Sequence, residues 1–575
     1  MIIYTPNCLI LSKFTSLLHI EGHMMSNEIT IAIQRNLITL LSIFTLSTSL
    51  FAQGDYSILD AYKNKEYRYV IDLDSDNNSD SLEYLKFVGE LQIITKSESI
   101  LADLSVLKSM RRLSLRIPNV TRIPSSIFEM ESIETLNIES DSLHYLSDSI
   151  AYLPKLKHIS LTTPRLSEIP LGIFKIKTLE ALGFINTPIS TIQDEIGNLS
   201  KLSTLSLENT KILNIPAALA KCTKLWGISI NKGNLTEFPD IFDSLPILES
   251  LRITRNKISI IPQGICRSTK LYKLDLSFNE ISTIPSEISD LNRLKYFFIA
   301  GNQIAILPNS IGGFKSILHI DLRYNRLDSL PQEICDLHSL KYFAVKGNKI
   351  SVLPQNISNL SNLVELDLSN NHLNHLPYGL HKLDKIRRLN LSNNHLFLLP
   401  EHFLDSLQVP VVNLRNNQIV ELPQVRVQNE DITYINLTNN KLQRLPSNIN
   451  YLSNLNSLII ANNNITDLPV AIFCMSNLAT LDAFDNQITE LKINPDCQSG
   501  IRSLQLRNNR ITYIPETIKH LDNIEFLNLK SNFIEDVPSA IGELRKLKYL
   551  EIRNNPLSSI KVDRLKSIIP NTRIN

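Results

Sequence analysis

Cysteine is scarce in this chain. The 575 residues include six cysteines, and no two of them stand at the spacing of a CxxC motif. This scarcity excludes the dense disulfide framework that holds small secreted domains together. We expect free, buried thiols that pack as small apolar side chains. The six positions are Cys8, Cys222, Cys266, Cys335, Cys474 and Cys497.

An excess of charge of one sign is also missing. The sequence has 58 Lys and Arg residues against 57 Asp and Glu residues. Such a balance provides no overall attraction to nucleic acid or to an anionic membrane, so a polyanionic partner would need a local basic patch. We therefore expect no nucleic-acid partner.

Long apolar runs are absent apart from one stretch near the N-terminus, Asn36–Ala52. It is 17 residues long and rich in Ser and Thr, which fits the hydrophobic region of a secretory signal better than a membrane span. Cleavage after Ala52 would leave Leu50 at the third position before the cut, where a smaller residue is usual. We expect export to the periplasm, the cell surface or the medium. A retained anchor, with membrane contact only through residues 36–52, and a cytoplasmic protein remain as alternatives.

What the chain has in abundance is a repeat of 23 residues. The phrase LDLSNNHLNHLP at Leu366–Pro377 returns along most of the sequence, and we count the first Leu of LxxLxLxxN as position 1 of each turn. A fixed period with an apolar framework is the signature of a solenoid. Position 9 is Asn in 14 consecutive turns: Asn256, Asn279, Asn302, Asn325, Asn348, Asn371, Asn394, Asn417, Asn440, Asn463, Asn486, Asn509, Asn532 and Asn555. In the six preceding turns it is Pro118, Asp141, Pro164, Thr187, Thr210 and Gly233.

The repeat resembles that of the leucine-rich repeat family. Its second half, LPxxIxxL, is seen at Leu353, Pro354, Ile357 and Leu360 and is similar to the 23-residue LxxLxLxxNxIxxLPxxIxxLxx subclass. The resemblance covers roughly residues 88–575 and extends to bacterial exported leucine-rich repeat proteins and to the arrays of signalling scaffolds and resistance proteins. It implies a fold and leaves the function open.

Each turn is expected to have two structurally different halves. The alternation of Leu366 and Leu368 at positions 4 and 6 predicts a short strand with one buried face. Proline occupies its slot in the second half in 16 of the 20 turns, where it fixes φ and removes an N–H group. We predict an α/β fold, a leucine-rich repeat solenoid curved like a horseshoe. Its parallel sheet forms the concave face, its convex segments are irregular or short helices, and it has about 20 turns.

The asparagine at position 9 has a physical reason. A buried amide side chain offers two donors and one acceptor to backbone groups where the chain leaves the strand, and an unpaired buried group costs roughly 1 to 3 kcal/mol. We predict a continuous hydrogen-bonded spine over the last 14 turns and a looser first third. Polar residues replace the usual pattern at Lys492–Gly500, which predicts a convex loop.

Changes in this pattern divide the chain into segments. Residues between the apolar run and the first turn are expected to form a cap, with a short helix over Tyr56–Tyr67 and a strand over Tyr67–Asp72. The last residues resemble a closing helix and strand, and they leave no room for a further domain. Residues 1–52 are predicted to be a signal peptide or targeting segment, of which 1–23 come from an over-extended reading frame. Residues 53–88 are the predicted N-terminal cap, and 556–575 are the predicted C-terminal cap. Between them lie repeats without the Asn ladder, 89–255, and repeats with the Asn ladder, 256–555.

Motifs that carry chemistry are absent from the sequence. Neither GxxxxGK[ST] nor GxSxG occurs. His372, His375 and His381 belong to the outer half of one turn and have no carboxylate arranged beside them. Aspartates recur on the strands but not in adjacent turns, so they do not indicate a calcium site. We expect no enzyme activity, no catalytic residue, no metal and no cofactor.

The exposed strand positions are the remaining place for a function. Residues at positions 3, 5, 7 and 8 point to the concave face, where aromatic and Arg side chains together are typical of binding hot spots. Cross-strand packing of the same rings is the alternative interpretation. The predicted central site is Phe278, Tyr296, Phe298, His319, Arg323, Tyr324, Tyr342 and Lys346. A secondary site for an acidic partner, at the C-terminal edge, is Arg507, Phe526, Lys530, Tyr549 and Arg553.

These residues lead to one main functional hypothesis. We predict a monomeric, non-enzymatic, exported interaction module that binds a protein or peptide on the concave sheet. One alternative is an exported protein that binds carbohydrate or the cell surface, since aromatic rings also stack on sugars. A second is a cytosolic signalling scaffold or regulator in which residues 36–52 stay uncleaved.

Overall fold

The computed structural model describes residues 69–72 and 89–575, which form one parallel β-sheet of 23 strands. Each strand pairs with the strands that precede and follow it in the chain. The strands are β1 Tyr69–Asp72, β2 Glu90–Ile94, β3 Arg112–Arg116, β4 Thr135–Glu139, β5 His158–Thr162, β6 Ala181–Ile185, β7 Thr204–Glu208, β8 Gly227–Asn231, β9 Ser250–Thr254, β10 Lys273–Asp275, β11 Tyr296–Phe298, β12 His319–Asp321, β13 Tyr342–Ala344, β14 Glu365–Asp367, β15 Arg388–Asn390, β16 Val411–Asn413, β17 Tyr434–Asn436, β18 Ser457–Ile459, β19 Thr480–Asp482, β20 Ser503–Gln505, β21 Phe526–Asn528, β22 Tyr549–Glu551 and β23 Arg573–Ile574.

The sequence period sets the register of this sheet. From β3 to β22, paired residues lie 23 positions apart, as in Arg112 opposite Thr135 and Leu366 opposite Leu389. Each side chain therefore has its counterparts from the adjacent turns as its lateral neighbours, at a spacing of about 4.8 Å. The predicted fold, a solenoid with a parallel sheet, is confirmed.

The second half of each turn is short and mostly of 3-10 helical form. Proline usually precedes these segments, as at Pro285 with φ of −63°, because its ring restricts φ and its missing N–H needs no partner there. In the described part of the chain, the three α-helices are α1 Glu98–Asp103, α2 Phe403–Ser406 and α3 Ser559–Ile568. The 3-10 helices are Leu104–Val106, Ser125–Glu129, Asp148–Tyr152, Leu171–Lys175, Asp194–Asn198, Ala217–Lys221, Phe242–Ser244, Gln263–Arg267, Ser286–Asp290, Asn309–Gly313, Gln332–Asp336, Ile357–Asn359, Tyr378–Lys382, Ile449–Tyr451, Val470–Cys474, Glu516–His520 and Ser539–Glu543.

A single apolar core runs along the whole array between the sheet and these outer segments. Leu366 and Leu368, the position 4 and 6 residues of one turn, are fully buried, and so are their counterparts in the other turns. Neighbouring turns thus bury each other's apolar surface, which makes stability a sum of local terms and interfaces between turns.

Strand length changes one turn after the asparagines begin, because the strand before Asn256 still has five residues. Strands β2 to β9 have five residues, whereas β10 to β22 have three. In the later turns the position 6 carbonyl accepts a hydrogen bond from an Asn side chain, as Leu276 does from Asn279. The position 7 N–H often donates to the side chain at position 5, as Ser277 does to Asp275. These side chains satisfy groups that would otherwise continue the ladder, so the strand ends earlier.

The first and last described strands lie within the two segments for which caps were predicted, and the cap bounds themselves stay a prediction. Strand β1 lies within the stretch Tyr67–Asp72 and pairs with β2, while the helix predicted over Tyr56–Tyr67 falls outside the described residues. At the other end, α3 precedes β23, which pairs with β22. Among the described residues, no helix has the length and apolar composition that a membrane crossing requires.

Candidate binding face of the sheet

Five aromatic rings form a continuous row across the middle of the sheet. Tyr272 contacts Tyr296 with ring centroids 5.4 Å apart, and Tyr296 lies 6.2 Å from Phe298. Phe298 contacts His319 at 4.8 Å, and His319 contacts Tyr342 at 5.3 Å. We call these five residues the ring cluster. It joins four residues of the predicted site and adds Tyr272, which precedes β10 and was not predicted.

The rings of the cluster are not needed by the core. Strands β11 to β13 direct their middle residues, Phe297, Ile320 and Phe343, into the interior, where they are fully buried. The flanking residues alternate outward, so that Tyr296 remains half-buried and Tyr342 is 41% exposed. Adjacent exposed rings on three neighbouring strands provide an apolar surface of the kind that binding partners cover.

Phe278 and Tyr324 belong to the predicted site but lie in a different row. Both are at position 8, both have left-handed backbone with φ of 59° and 56°, and both are about half exposed. Each ring covers a glycine of the following turn: a Cβ on Gly301 would lie 2.6 Å from Phe278, and one on Gly347 would lie 2.6 Å from Tyr324. Left-handed backbone is unfavourable for bulky residues, so these two positions are strained.

The two cations of the predicted site differ in their surroundings. Arg323 donates from Nε and Nη2 to both carboxylate oxygens of Asp321, at 2.8 and 2.6 Å, so its charge is neutralised within its own turn. The Nζ of Lys346 lies 5.9 Å from the ring centre of Tyr324 and has no carboxylate partner among the described residues. Lys346 is therefore the cation of this pair that is available to a ligand.

Burial lowers the pKa of two groups at the ring cluster. His319 is half-buried, and desolvation lowers its pKa, with Asp321 opposing and Arg323 reinforcing the shift. Desolvation also lowers the pKa of Lys273, whose Nζ lies 5.8 Å from the ring centre of Phe298. A neutral His319 leaves the centre of the cluster uncharged at neutral pH.

The secondary site at the C-terminal edge is only partly assembled. Phe526 and Tyr549 are lateral neighbours on β21 and β22. Arg553 donates to both carboxylate oxygens of Glu551 at 2.7 and 2.8 Å, in the same arrangement as Arg323 with Asp321. Arg507 lies with its guanidinium carbon 4.2 Å from the ring centre of Phe484. The guanidinium of Arg553 is thus already paired.

Lys530 completes the predicted secondary site. Its backbone N–H donates to Asn528, the position 5 residue of the same turn. No ion pair joins its ammonium group to a carboxylate in the described part of the chain. Lys530 and Arg507 are consequently the cations of this group that remain available.

The position 9 asparagines connect successive turns. The Nδ2 of Asn371 donates to the carbonyls of Val345 and Leu368 at 3.1 Å, and its Oδ1 accepts from the N–H of Ile350 at 3.1 Å. The same three partners, in the same positions, recur at every turn from Asn279 to Asn555. At Asn256, the first of them, one donor goes to Thr254.

Two of the turns that lack this asparagine leave the polar side chain at position 9 without a partner. Thr187 and Thr210 occupy position 9, are buried, and have hydroxyl groups without a hydrogen-bond partner. Gly233 leaves room for the first amide of the spine, because a Cβ there would lie 2.6 Å from Oδ1 of Asn256. A threonine hydroxyl is too short to reach backbone groups of two turns.

We expect faster amide hydrogen exchange in residues 100–240 than in residues 256–555. At position 9 the first segment has buried threonine hydroxyl groups without partners. In the second segment, the asparagine amides at that position form hydrogen bonds between adjacent turns. Exchange followed by mass spectrometry of peptic fragments would measure this difference. Equal or greater protection of residues 100–240 would contradict it.

A family model described as leucine rich repeat matches residues 246–304, 344–396, 430–488 and 499–557. The chain is a leucine-rich repeat protein. The matched segments lie in the part of this leucine-rich repeat protein where Asn occupies position 9, residues 256–555, apart from the first ten residues of the first segment and the last two of the fourth. No curated protein matches the chain.

Solved structures with the same fold come from bacteria, plants and insects. A leucine-rich repeat protein of Leptospira interrogans is 22% identical, with 84% of this chain and 99% of that chain covered and a TM-score of 0.52. The plant peptide hormone receptor RGFR1, in complex with RGF2, is 25% identical over 86% and 88% of the two chains, with a TM-score of 0.61. The Toll–Spatzle complex of Drosophila is 17% identical over 88% and 83%, with a TM-score of 0.54.

Left-handed backbone at position 8 is a second periodic feature of the leucine-rich repeat array, and it was not predicted. It occurs in consecutive turns from Asn186 to Asn554, at 15 non-glycine residues and two glycines. Asparagine tolerates this conformation better than most residues, which explains the recurrent Asn-Asn pairs such as Asn393-Asn394. Those Asn-Asn pairs, and the glycine at position 8 in Gly301, were the sequence signal for this left-handed backbone. The bend geometry therefore begins three turns before the amide spine.

The prediction of free thiols is wrong for Cys474 and Cys497, which form a disulfide with a Cα to Cα distance of 5.3 Å. Their separation is 23 residues, one period of the repeat, so the register brings them to adjacent turns. Cys497 lies in the loop predicted at Lys492–Gly500, and the bond ties that loop to the 3-10 helix before it. The spacing of these two cysteines equals the period of the repeat, and this was the sequence signal for the disulfide. A search for CxxC motifs misses it.

The other described cysteines are free and buried, as predicted. They are Cys222, Cys266 and Cys335, and burial raises the pKa of each thiol to about 11. Such thiols are poor nucleophiles, so they contribute packing and not chemistry. Within residues 69–72 and 89–575, no group of three or more His, Cys, Asp or Glu side chains is arranged to hold a metal ion.

Proposed function

We propose that this protein is a non-enzymatic interaction module that binds a protein or peptide on the exposed face of its sheet. The observation that carries the proposal is the ring cluster, in which Tyr296, Phe298, His319 and Tyr342 are in contact and remain open to solvent. Large rings on rigid neighbouring strands provide contact area at a low cost in conformational entropy. Their rigid support is the core beneath β11 to β13.

The similarity to a receptor structure supports the same proposal. RGFR1 was solved in complex with RGF2, and its chain and this one share the fold over most of their lengths. A long parallel sheet places many variable side chains on one surface, so the same scaffold serves different ligands. The exposed strand positions therefore determine which ligand this chain takes.

We also propose that the protein is exported. A disulfide between Cys474 and Cys497 is typical of an oxidising compartment, since the reducing cytosol keeps thiols reduced. The apolar run Asn36–Ala52 supplies the signal sequence in this proposal. A cytosolic scaffold would be expected to carry the same cysteines as thiols.

We expect the triple substitution Tyr296→Ala, Phe298→Ala and Tyr342→Ala to weaken ligand binding at least about 100-fold, because each ring contributes hot-spot contact area. The probe is a displayed library of random peptides, panned on the immobilised native chain. Peptides enriched on the native chain are then titrated against the variant. Circular dichroism of the variant should be unchanged, since the three side chains lie outside the core.

The matched control removes three exposed rings elsewhere: Tyr152, Phe397 and Phe533, none of which lies on a strand. This control should bind the selected peptides as the native chain does. Undiminished binding by the first variant would exclude the ring cluster as the site. Failure of every peptide to enrich, together with binding to a glycan array, would support the carbohydrate alternative in its place.

A further inference from the structure

The first strand beside the ring cluster carries an unpaired positive charge. Lys273 of β10 lies directly opposite Tyr296 in the sheet register, and its Nζ is 5.8 Å from the ring centre of Phe298. No carboxylate of the described residues is within ion-pair distance of it, and the nearby Asp275 pairs with Arg252 at 3.5 Å. A half-buried ammonium without a counter-ion favours an anionic partner.

The strand on the other side of the cluster carries negative charge. Glu365 of β14 lies opposite Tyr342, and its carboxylate forms no ion pair with another described residue. Asp367 on the same strand accepts the backbone N–H of Ser369 at 3.0 Å. Arg388 follows on β15 and borders a shallow depression with both acids, yet it makes no ion pair with either. Two carboxylates against one guanidinium leave this end negative.

At positions 3 and 5 between the two ends, the charges cancel. Asp321 of β12 holds Arg323 through two hydrogen bonds, and no other charged side chain stands at positions 3 or 5 of β11 to β13 when His319 is neutral. Positions 3 and 5 therefore have a positive end, an aromatic centre and a negative end along the stack of strands, while the unpaired Lys346 lies at position 7 of the β13 turn, outside these two rows.

We propose that the ligand is a peptide segment that lies along this stack, with an acidic side chain at Lys273, an apolar or aromatic side chain on the ring cluster and a basic side chain at Glu365. This inference rests on the proposed function and specifies its ligand. Four strand spacings of about 4.8 Å separate β10 from β14, about 19 Å in all, which an extended chain crosses in about six residues. Complementary charges at both ends determine the direction in which the segment binds.

The test uses the displayed random peptide library on the native chain and on two single variants, Lys273→Gln and Glu365→Gln. Peptides enriched on the native chain should carry an acidic and a basic residue about six positions apart. Lys273→Gln should weaken a selected peptide about tenfold and remove the preference for the acidic residue alone. Glu365→Gln should do the same for the basic residue alone.

Reversing the charge at Lys273 is a more specific test of the charge pairing than removing it. The Lys273→Glu variant should lose affinity for the selected peptide. It should bind a version of that peptide in which the acidic residue is replaced by lysine. Lys315→Gln and Glu333→Gln, which change the same residue types on the outer segments, are the matched controls and should bind as the native chain does.

The outcomes separate this inference from the proposed function. Enriched peptides without the charge pattern, or equal affinity for the native chain and both single variants, would overturn the inference while the triple ring variant still tests the site. Absence of any enriched peptide on the native chain would overturn both.

Discussion

Asn394→Ala should lower the free energy of unfolding of the array by about 3 to 5 kcal/mol, because it leaves several buried backbone groups without partners. The Asn394 amide donates to the carbonyls of Leu368 at 3.0 Å and Leu391 at 3.1 Å, and it accepts the N–H of Leu373 at 3.0 Å. All of these groups are shielded from water. Alanine supplies none of the three bonds.

The adjacent residue provides a matched control for this substitution. Asn393 carries the same side chain one position earlier, but its amide is partly exposed and its backbone is left-handed with φ of 56°. Asn393→Gly keeps that backbone conformation without strain and should cost about 1 kcal/mol or less. Chemical denaturation followed by circular dichroism measures both variants. Equal losses of unfolding free energy would mean that the buried amide at position 9 contributes no more to stability than the partly exposed amide at position 8.

Loss of the disulfide has the second largest expected effect. The double substitution Cys474→Ser and Cys497→Ser should destabilise the C-terminal part of the array by about 3 kcal/mol, the value for a closed loop of this size. The loop Lys492–Gly500 should then become the preferred site of proteolytic cleavage, since the bond ties it to the preceding turn. Limited proteolysis with mass spectrometry of the fragments measures this.

Cys335→Ala is the control for the disulfide, because it removes a buried cysteine that is free. It should leave the cleavage pattern unchanged. Alkylation counts the free thiols directly in the mature protein, from which Cys8 is removed with the signal sequence in the proposal of export. After denaturation without reductant, Cys222, Cys266 and Cys335 should be labelled, and reduction should add Cys474 and Cys497. Labelling of all five before reduction, in protein purified from the exporting cell, would contradict the disulfide and the proposal of export together.

Much of the fold follows from the period of the sequence. Apolar residues at positions 4 and 6, such as Leu366 and Leu368, must be buried in every turn, and this is possible only if equivalent residues stack at a register of 23. Position 9 was predictable for the same reason, since an amide that recurs at a buried slot indicates backbone groups to be satisfied. These arguments need only local chemistry and the fixed spacing.

The candidate site was predictable in composition but not in its contacts. The exposed strand positions follow from the alternation, so the repeat alone places Tyr296, His319 and Tyr342 in one row, and the sheet register agrees. Their continuity with Tyr272 depends on side-chain rotamers, and Phe278 is separated from the cluster because it lies in the left-handed bend at position 8. The pairing of Arg323 with Asp321 likewise depends on which of several nearby groups a flexible side chain reaches.

By itself the sequence determined the solenoid, its register and the faces on which residues lie, because a strict period repeats the same local constraints in each turn. The recurrent Asn-Asn pairs and the 23-residue spacing of Cys474 and Cys497 also carried a signal for the left-handed backbone and for the disulfide. The tertiary structure alone decided which rings of the ring cluster contact each other and which charges stay unpaired around them. Each of these depends on distances between atoms of different turns, at a precision that spacing in the sequence does not specify.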